Sequence, residues 1–302
     1  MAEAPIWTSL VMRESLRWMH PWWRQAALPF LLLILSACGS SGTPDKVILY
    51  KKQARQVKVI AHRGASGLAP ENTLAAVKKA LETSADFIEI DIHLSKDGEV
   101  VVIHDATVDR TTTGAGRVSD LTLKELKALD AGIKHDSSFA GERIPTLGQV
   151  LRAVKGKKKL LIELKKGEED YYEGLEEKTL QLIRDNRAEE WCVLQSFYDP
   201  ILERIWKADF VIPTHKLIIG KIPFLPIFID HELKFGGFDR YSEVAAINVH
   251  RYFASKSFIK SLHNQGFKTF IWTEDKPKNI QRLFQMGADG VMTNHPELIE
   301  RQ

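Results

Sequence analysis

Near the start of the globular part of the chain, groups that titrate or bind anions sit at the ends of short apolar runs. His62 and Arg63 follow VKVIA, Glu89 and Asp91 lie within FIEIDIHL, and His104 and Asp105 follow EVVVI. Strand side chains alternate between faces, so Glu89 and Asp91 project from one face about 7 Å apart along the strand. Ile88, Ile90 and Ile92 are left for the other face. A further carboxylate, Glu163, stands in the apolar run KLLIEL, with Lys165 two residues beyond it. A buried carboxylate needs a partner. Lys165, which shares its face, can supply one, and a cation shared with Glu89 and Asp91 is the alternative. Three carboxylates from neighbouring strands make an all-oxygen site that suits one divalent cation, Ca²⁺ or Mg²⁺, better than zinc or copper. His62 and His104 can move protons because an ordinary imidazole titrates at about 6.5. The Arg63 fork suits an anionic oxygen such as that of a phosphate. This set points to metal-assisted acid/base chemistry on a phosphate ester.

The elements that must hold these groups are short Val- and Ile-rich runs alternating with amphipathic helices. Between FIEIDIHL and EVVVI, only Lys96-Asp97-Gly98-Glu99 intervenes, too short for a parallel crossover. Asp-Gly is a hairpin signal, and a two-residue turn at Asp97-Gly98 sets Asp91 opposite His104. A polar segment rich in Gly and Thr follows, with a helix near 123–129 capped by Thr122 and a loop to Pro145. Further runs at 159–164, 191–197, 215–219, 244–249, 267–273 and 289–293 are each joined by helical patterns. Apolar strands alternating with helices imply a parallel sheet covered by helices. The expected fold is a (β/α)8 TIM barrel over 57–302, with a small insertion (106–145) after the second/third strand hairpin. A doubly wound open sheet is second, weakened by the lack of any GxGxxG or GxxxxGK[ST] run after a strand. There is one strand candidate too many for a barrel, and the hairpin or the short last run accounts for it. In a barrel, reactive groups gather at the C-terminal strand ends, where these residues fall.

The first residues belong to a different kind of segment. Arg13, Arg17 and Arg24 precede the apolar run Ala26–Leu35, which is too short to span a bilayer and suits an export signal. The run ends in Leu35-Ser36-Ala37-Cys38 and a Gly/Ser tether. This resembles a bacterial lipoprotein signal over 1–37, with lipidation of Cys38, a tether over 38–56, and an extracytoplasmic, membrane-anchored mature protein. The other cysteine, Cys192, lies in the apolar run WCVLQSF and reads as a small buried hydrophobe. A net charge of +3 with dispersed Lys and Arg argues against a nucleic-acid partner. The Pro-broken apolar stretch 216–238 reads either as a packed loop or as a membrane-facing lip that admits lysophospholipids.

Taken together, AHRGASGLAPENT (61–73), EIDIHLSKDGEVVVIHD (89–105), DRTTTGAG (109–116), IPTL (144–147), IELK (162–165), FIWT (270–273) and DGVMTNHP (289–296) resemble the glycerophosphodiester phosphodiesterase family. The resemblance runs from about Lys58 to the C-terminus. It implies a TIM-barrel hydrolase releasing sn-glycerol 3-phosphate and an alcohol, with Glu89, Asp91 and Glu163 on one divalent ion and His62 and His104 as general acid and base. It also implies that Arg63 and Lys165 hold the phosphate, that Glu71 supports the site and that Trp272 packs on the glycerol. A lysophospholipase-D-like or cyclic-phosphate-forming enzyme is the alternative within the same chemistry. Two departures, Glu274-Asp275 after Trp272-Thr273 and Asn294 where Asp is common, are expected to bear on glycerol or leaving-group preference and to touch neither the metal nor the histidines.

Overall fold

The structure, a computed structural model, describes residues 46–50, 57–208 and 211–302. The expected signal segment (1–37), Cys38 and most of the expected tether (38–56) lie outside the described residues. In chain order the strands are β1 (Val47–Leu49), β2 (Lys58–Ala61), β3 (Phe87–Leu94), β4 (Val100–Val102), β5 (Lys159–Leu164), β6 (Cys192–Ser196) and β7 (Thr214–Ile218). They continue with β8 (Gly220–Lys221), β9 (Ile227–Ile229), β10 (Leu233–Phe235), β11 (Ala246–His250), β12 (Lys268–Trp272), β13 (Gly290–Thr293) and β14 (Ile299–Arg301). The helices are α1 (Leu74–Glu82), α2 (Leu123–Ala128), α3 (Leu147–Val154), α4 (Leu175–Asp185), α5 (Asp199–Ala208), α6 (Lys256–His263) and α7 (Pro277–Gln285). None of them is long and apolar enough to cross a membrane.

β2, β3, β5, β6, β7, β11, β12 and β13 pair in parallel and close through β13–β2 and β2–β3, giving the expected eight-stranded barrel. The pleat sorts β3 as its sequence requires. Ile88, Ile90 and Ile92 join the main core between barrel and helices, with Val77 of α1 and Leu151 of α3. Inside the barrel, Ile60, Phe87, Leu161, Val193, Ala246, Phe270 and Met292 form a separate apolar plug near the N-terminal strand ends. The polar groups of the same strands stand above it. Thr73, Thr122 and Thr146 cap α1, α2 and α3, the last two through full capping boxes with Glu125 and Gln149. Cys192 is buried, and burial pushes its thiol up to about 12, so it is inert as a nucleophile.

The hairpin accounts for the surplus strand, since β4 runs antiparallel outside the barrel against β3. Its register differs from the expected one. Ile92 pairs with Val102, so the loop holds three residues, Lys96-Asp97-Gly98, with Gly98 left-handed at φ 79°. Ser95 explains the extra residue: its Oγ accepts from Glu99 N and donates to Asp97 Oδ1, which also accepts from Leu123 N. Asp91 therefore faces Ile103 rather than His104, and His104 sits in the loop after β4. The insertion 106–145 packs Val108, Val118, Leu126, Ala131 and Ile144 against Val101 and Ile103 of the hairpin in a small separate core. Two further differences concern segments read as irregular. Val47–Leu49, placed in the tether by sequence, forms a strand beside β14 with Val47 and Leu49 buried. The stretch after β7 folds into a three-stranded antiparallel sheet, β8–β9–β10.

Candidate active site

β3 and β5 lie side by side with Asp91 directly opposite Glu163, and Glu89 one pleat below Asp91 on the same inner face. One carboxylate oxygen from each of Glu89, Asp91 and Glu163 falls within 4.8 Å of the others, and all three residues are buried. Lys165 bridges two of them, donating to Glu163 Oε1 and lying 2.9 Å from Asp91 Oδ1. Glu163 thus pairs with Lys165 and at the same time belongs to the acidic cluster. Burial, then Asp91 and Glu163, hold the Glu89 carboxyl well above the usual carboxylate range. Burial raises Glu163 as well. Burial also acts on Asp91, but Lys165, His104 and Arg63 outweigh it and keep that group well below its ordinary value. Acids forced upward by one another's charge are the groups a divalent cation relieves, and its binding would release their protons. The donor set fits such an ion.

The loop after β2 aims backbone donors at this cluster. Arg63 and Gly64 are both left-handed, at φ 51° and 80°, which turns Arg63 N onto Glu89 Oε2 (2.8 Å) and Gly64 N onto the Glu89 carbonyl (2.9 Å). A Cβ on Gly64 would lie 2.7 Å from the Ala76 backbone, so only glycine fits. Asn72, also left-handed at φ 59°, reads Asp91 twice, through Nδ2 to Oδ2 (2.8 Å) and by accepting from Asp91 N at Oδ1 (3.1 Å). The Arg63 guanidinium donates to Glu71 Oε1 (2.8 Å), and its Nε, 3.6 Å from Asp91 Oδ2, is buried with no hydrogen-bond partner among the described residues.

Each histidine has a carboxylate behind it, one directly and one through an amide. His62 Nδ1 lies 2.7 Å from Asn294 Oδ1. Asp275 accepts from Asn294 Nδ2 (2.8 Å) and from its backbone N (2.8 Å). A carboxylate only accepts, so Asp275 fixes the amide NH₂ and turns Oδ1 to His62, which must donate from Nδ1. Nε2 is then the acceptor. Burial, then Arg63, lower His62 to about 4, so its ring is neutral at pH 7. His104 Nδ1 lies 2.6 Å from Asp105 Oδ1. Behind it, buried His93 donates from Nε2 to the His104 carbonyl (3.0 Å) and meets Tyr172 Oη at Nδ1 (2.8 Å).

Arg110, from the insertion, joins the two arms. It donates twice to Asp105 (2.6 and 3.1 Å) and twice to Glu71 (2.8 and 2.7 Å). One guanidinium thus backs the carboxylate behind His104 and the one holding Arg63. Trp272 ends β12, with the rings of Phe197 and His250 edge-on to it at 5.5 and 4.7 Å; its Nε1 is buried with no partner among the described residues.

The predicted residues His62, Arg63, Glu71, Glu89, Asp91, His104, Glu163, Lys165 and Trp272 therefore all lie at the C-terminal ends of the barrel strands or in the loops that follow. Cys38 lies outside the described residues. One expectation fails: Asn294 touches His62 and Asp275 reaches that histidine through Asn294, because the loop after β13 folds over the end of β2, where Thr293 pairs with Ala61. Sequence reasoning also missed Asn72, His93 and Arg110, and singled out Asp105 without giving it a role. Asn72 and Arg110 lay inside the PENT and DRTTTGAG motifs, which was the signal available.

A profile of the glycerophosphoryl diester phosphodiesterase family matches residues 62–298. The chain belongs to this family. Among its relatives in the family are a glycerophosphodiester phosphodiesterase of Caldanaerobacter subterraneus, 39% identical over 80% of this chain and 95% of the relative, and a putative glycerophosphodiester phosphodiesterase of Bacillus subtilis, 40% identical over 80% and 96%. Among solved structures, an Oleispira antarctica phosphodiesterase in complex with the product sn-glycerol-3-phosphate is similar at TM-score 0.68 and 28% identity, covering 81% of this chain and 95% of the other. The fold of such a phosphodiesterase is thus present here, with a buried acidic triad in this chain.

Proposed function

We propose that the protein hydrolyses glycerophosphodiesters to sn-glycerol 3-phosphate and an alcohol, using one divalent cation and two histidines. The observation that carries this reading is the convergence of Glu89, Asp91 and Glu163 within 4.8 Å, beside Arg63 and Lys165. The three carboxylates would hold Ca²⁺ or Mg²⁺, which when bound polarises a phosphoryl oxygen and neutralises developing charge. Arg63, aimed by Glu71, and Lys165 bind the phosphate and balance its charge. His62, neutral and presenting Nε2, takes the proton from the attacking hydroxyl. His104, with Nδ1 held by Asp105, gives a proton to the leaving alkoxide from Nε2. Trp272 offers an aromatic face and an indole N–H to the glycerol. The resemblance of Ser36-Ala37-Cys38 and the preceding apolar run to a lipoprotein signal supports an extracytoplasmic enzyme anchored through acylated Cys38.

Release of sn-glycerol 3-phosphate from a panel of glycerophosphodiesters, with Ca²⁺, Mg²⁺ or EDTA, tests the reading. Turnover that needs either ion and is abolished in His62→Ala and His104→Ala is expected. Turnover undiminished in EDTA would refute the metal role. Phosphorus NMR of the product separates hydrolysis from the alternative, which yields a cyclic phosphate.

A further inference from the structure

In the antiparallel sheet that follows β7, the edge strand β10 is inside out. On β10, Leu233 and Phe235 are 61% and 68% exposed, while Lys234 between them turns inward, its Nζ 3.6 Å from Asp199 Oδ2. A strand on a water-facing surface shows the opposite alternation. At the β8–β9 turn, Phe224 is fully exposed and Leu225 is 48% exposed. The apolar side chains are on the outside because the underside is occupied by an ion-paired bolt. Lys216 of β7, wholly buried, donates to Asp199 Oδ1 (2.7 Å), to Asp230 Oδ2 (2.9 Å) and to the Phe197 carbonyl, and Tyr241 Oη donates to Asp199 (2.9 Å). Phe228 packs beneath against Phe238 and Tyr241. The sheet is fixed from below and greasy on top.

A line of rings joins this sheet to the barrel mouth. His231, between β9 and β10, stacks on Tyr198 at 5.1 Å and meets Phe197 at 4.5 Å, and Phe197 meets Trp272 at 5.5 Å. We propose that β8–β10 is a docking flap for a phospholipid surface. Phe224, Leu225, Leu233 and Phe235 enter the acyl region, and the ring line from His231 to Trp272 leads the phosphodiester of a lysophospholipid from that surface to the acids. The second half rests on the phosphodiesterase reading above; the docking half does not. The occupant follows from shape. Phe224 is fully exposed, so no neighbouring side chain covers it as the wall of a peptide groove would, whereas fluid acyl chains close around such a ring, and apolar patches of this kind mark such surfaces.

The test uses the full chain and its variant F224S/F235S, assayed on lysophosphatidylcholine held in phosphatidylcholine vesicles and on monomeric glycerophosphocholine. Withdrawing two phenylalanines from the apolar phase is worth about tenfold each in partition. Turnover of the vesicle substrate should therefore fall at least about tenfold while glycerophosphocholine turnover stays the same. In parallel, F224C carrying an environment-sensitive dye, with the equally treated unsubstituted chain as blank, should shift to the blue on adding phosphatidylcholine vesicles and keep that shift in high salt, since insertion here is apolar. No shift, or equal loss on both substrates, overturns the proposal. A shift without vesicles that grows with protein concentration also overturns it, by assigning the patch to a second copy of the chain. If neither substrate is turned over, the phosphodiesterase reading fails and the dye alone decides docking.

Discussion

Replacing Arg110 with alanine separates the two arms of the site without touching any group proposed to meet substrate. Arg110 makes four hydrogen bonds to two carboxylates, each of which aims one working side chain. Fully buried, charged hydrogen bonds of this kind would be worth about 1.5–3 kcal/mol each. Arg110 is 49% exposed, so solvent screening reduces each carboxylate arm to about 1 kcal/mol. If both arms are felt in the transition state, kcat/KM falls roughly 5- to 30-fold. The loss should divide: the Asp105 arm, which orients His104, appears in kcat, and the Glu71 arm, which orients Arg63, appears in KM. Stability should fall by no more than about 2 kcal/mol, because each of the two half-exposed arms is worth about 1 kcal/mol at most. A coupled assay for sn-glycerol 3-phosphate release measures the kinetics, and urea melts measure the fold. In an Asp105→Asn background the kcat part should vanish, since the arm it acts through is already cut. A kcat/KM within twofold of wild type, or an additive loss in that background, would refute the reasoning.

Two further predictions concern groups away from the metal ligands. Asn294→Ala removes the acceptor that fixes the His62 tautomer and should cost at least about tenfold in kcat; Asn294→Gln, one carbon longer, should recover little of it. If the alanine variant keeps full kcat, the Asp275–Asn294–His62 chain is only structural. His215 sits wholly buried near the N-terminal strand ends, its imidazole lowered to about 3 by burial and by Lys268 and Lys159. A lowered histidine is neutral when folded and charged when unfolded, so its contribution is complete above about 6.5 and is lost as pH falls toward 3. Between pH 6.5 and 5 the cost is about 2 kcal/mol. The stability difference between wild type and His215→Gln, from urea melts, should therefore shrink by about that much over this interval. A constant difference would contradict the assignment.

What the sequence disclosed and what it hid follow from which contacts are periodic. The alternation in FIEIDIHL and KLLIEL is enough to place Glu89, Asp91 and Glu163 on one inner face, because a pleat admits no other arrangement once the isoleucines are buried. The hairpin register was one residue off because Asp-Gly signals a two-residue turn, whereas the Ser95 side chain stabilises a three-residue one. Asn72, Arg110 and the Asp275–Asn294 pair act across loops, and no spacing rule relates residue 62 to 294. The apolar stretch 216–238 is visible in the sequence, with a membrane-facing lip as one of its two readings, but its antiparallel sheet is not. Its strands are of two or three residues, broken by proline, and its inverted alternation shows only when Lys234 is seen to point at Asp199.

The account stands on three acids converging on one cation. Crystals grown or soaked with Mn²⁺ and measured at the manganese edge test this directly. One anomalous peak per chain is predicted, about 2.0–2.5 Å from a carboxylate oxygen of each of Glu89, Asp91 and Glu163, and its loss in Glu89→Gln. A peak elsewhere, or none between these residues with Lys165 still bridging Asp91 and Glu163, would contradict it.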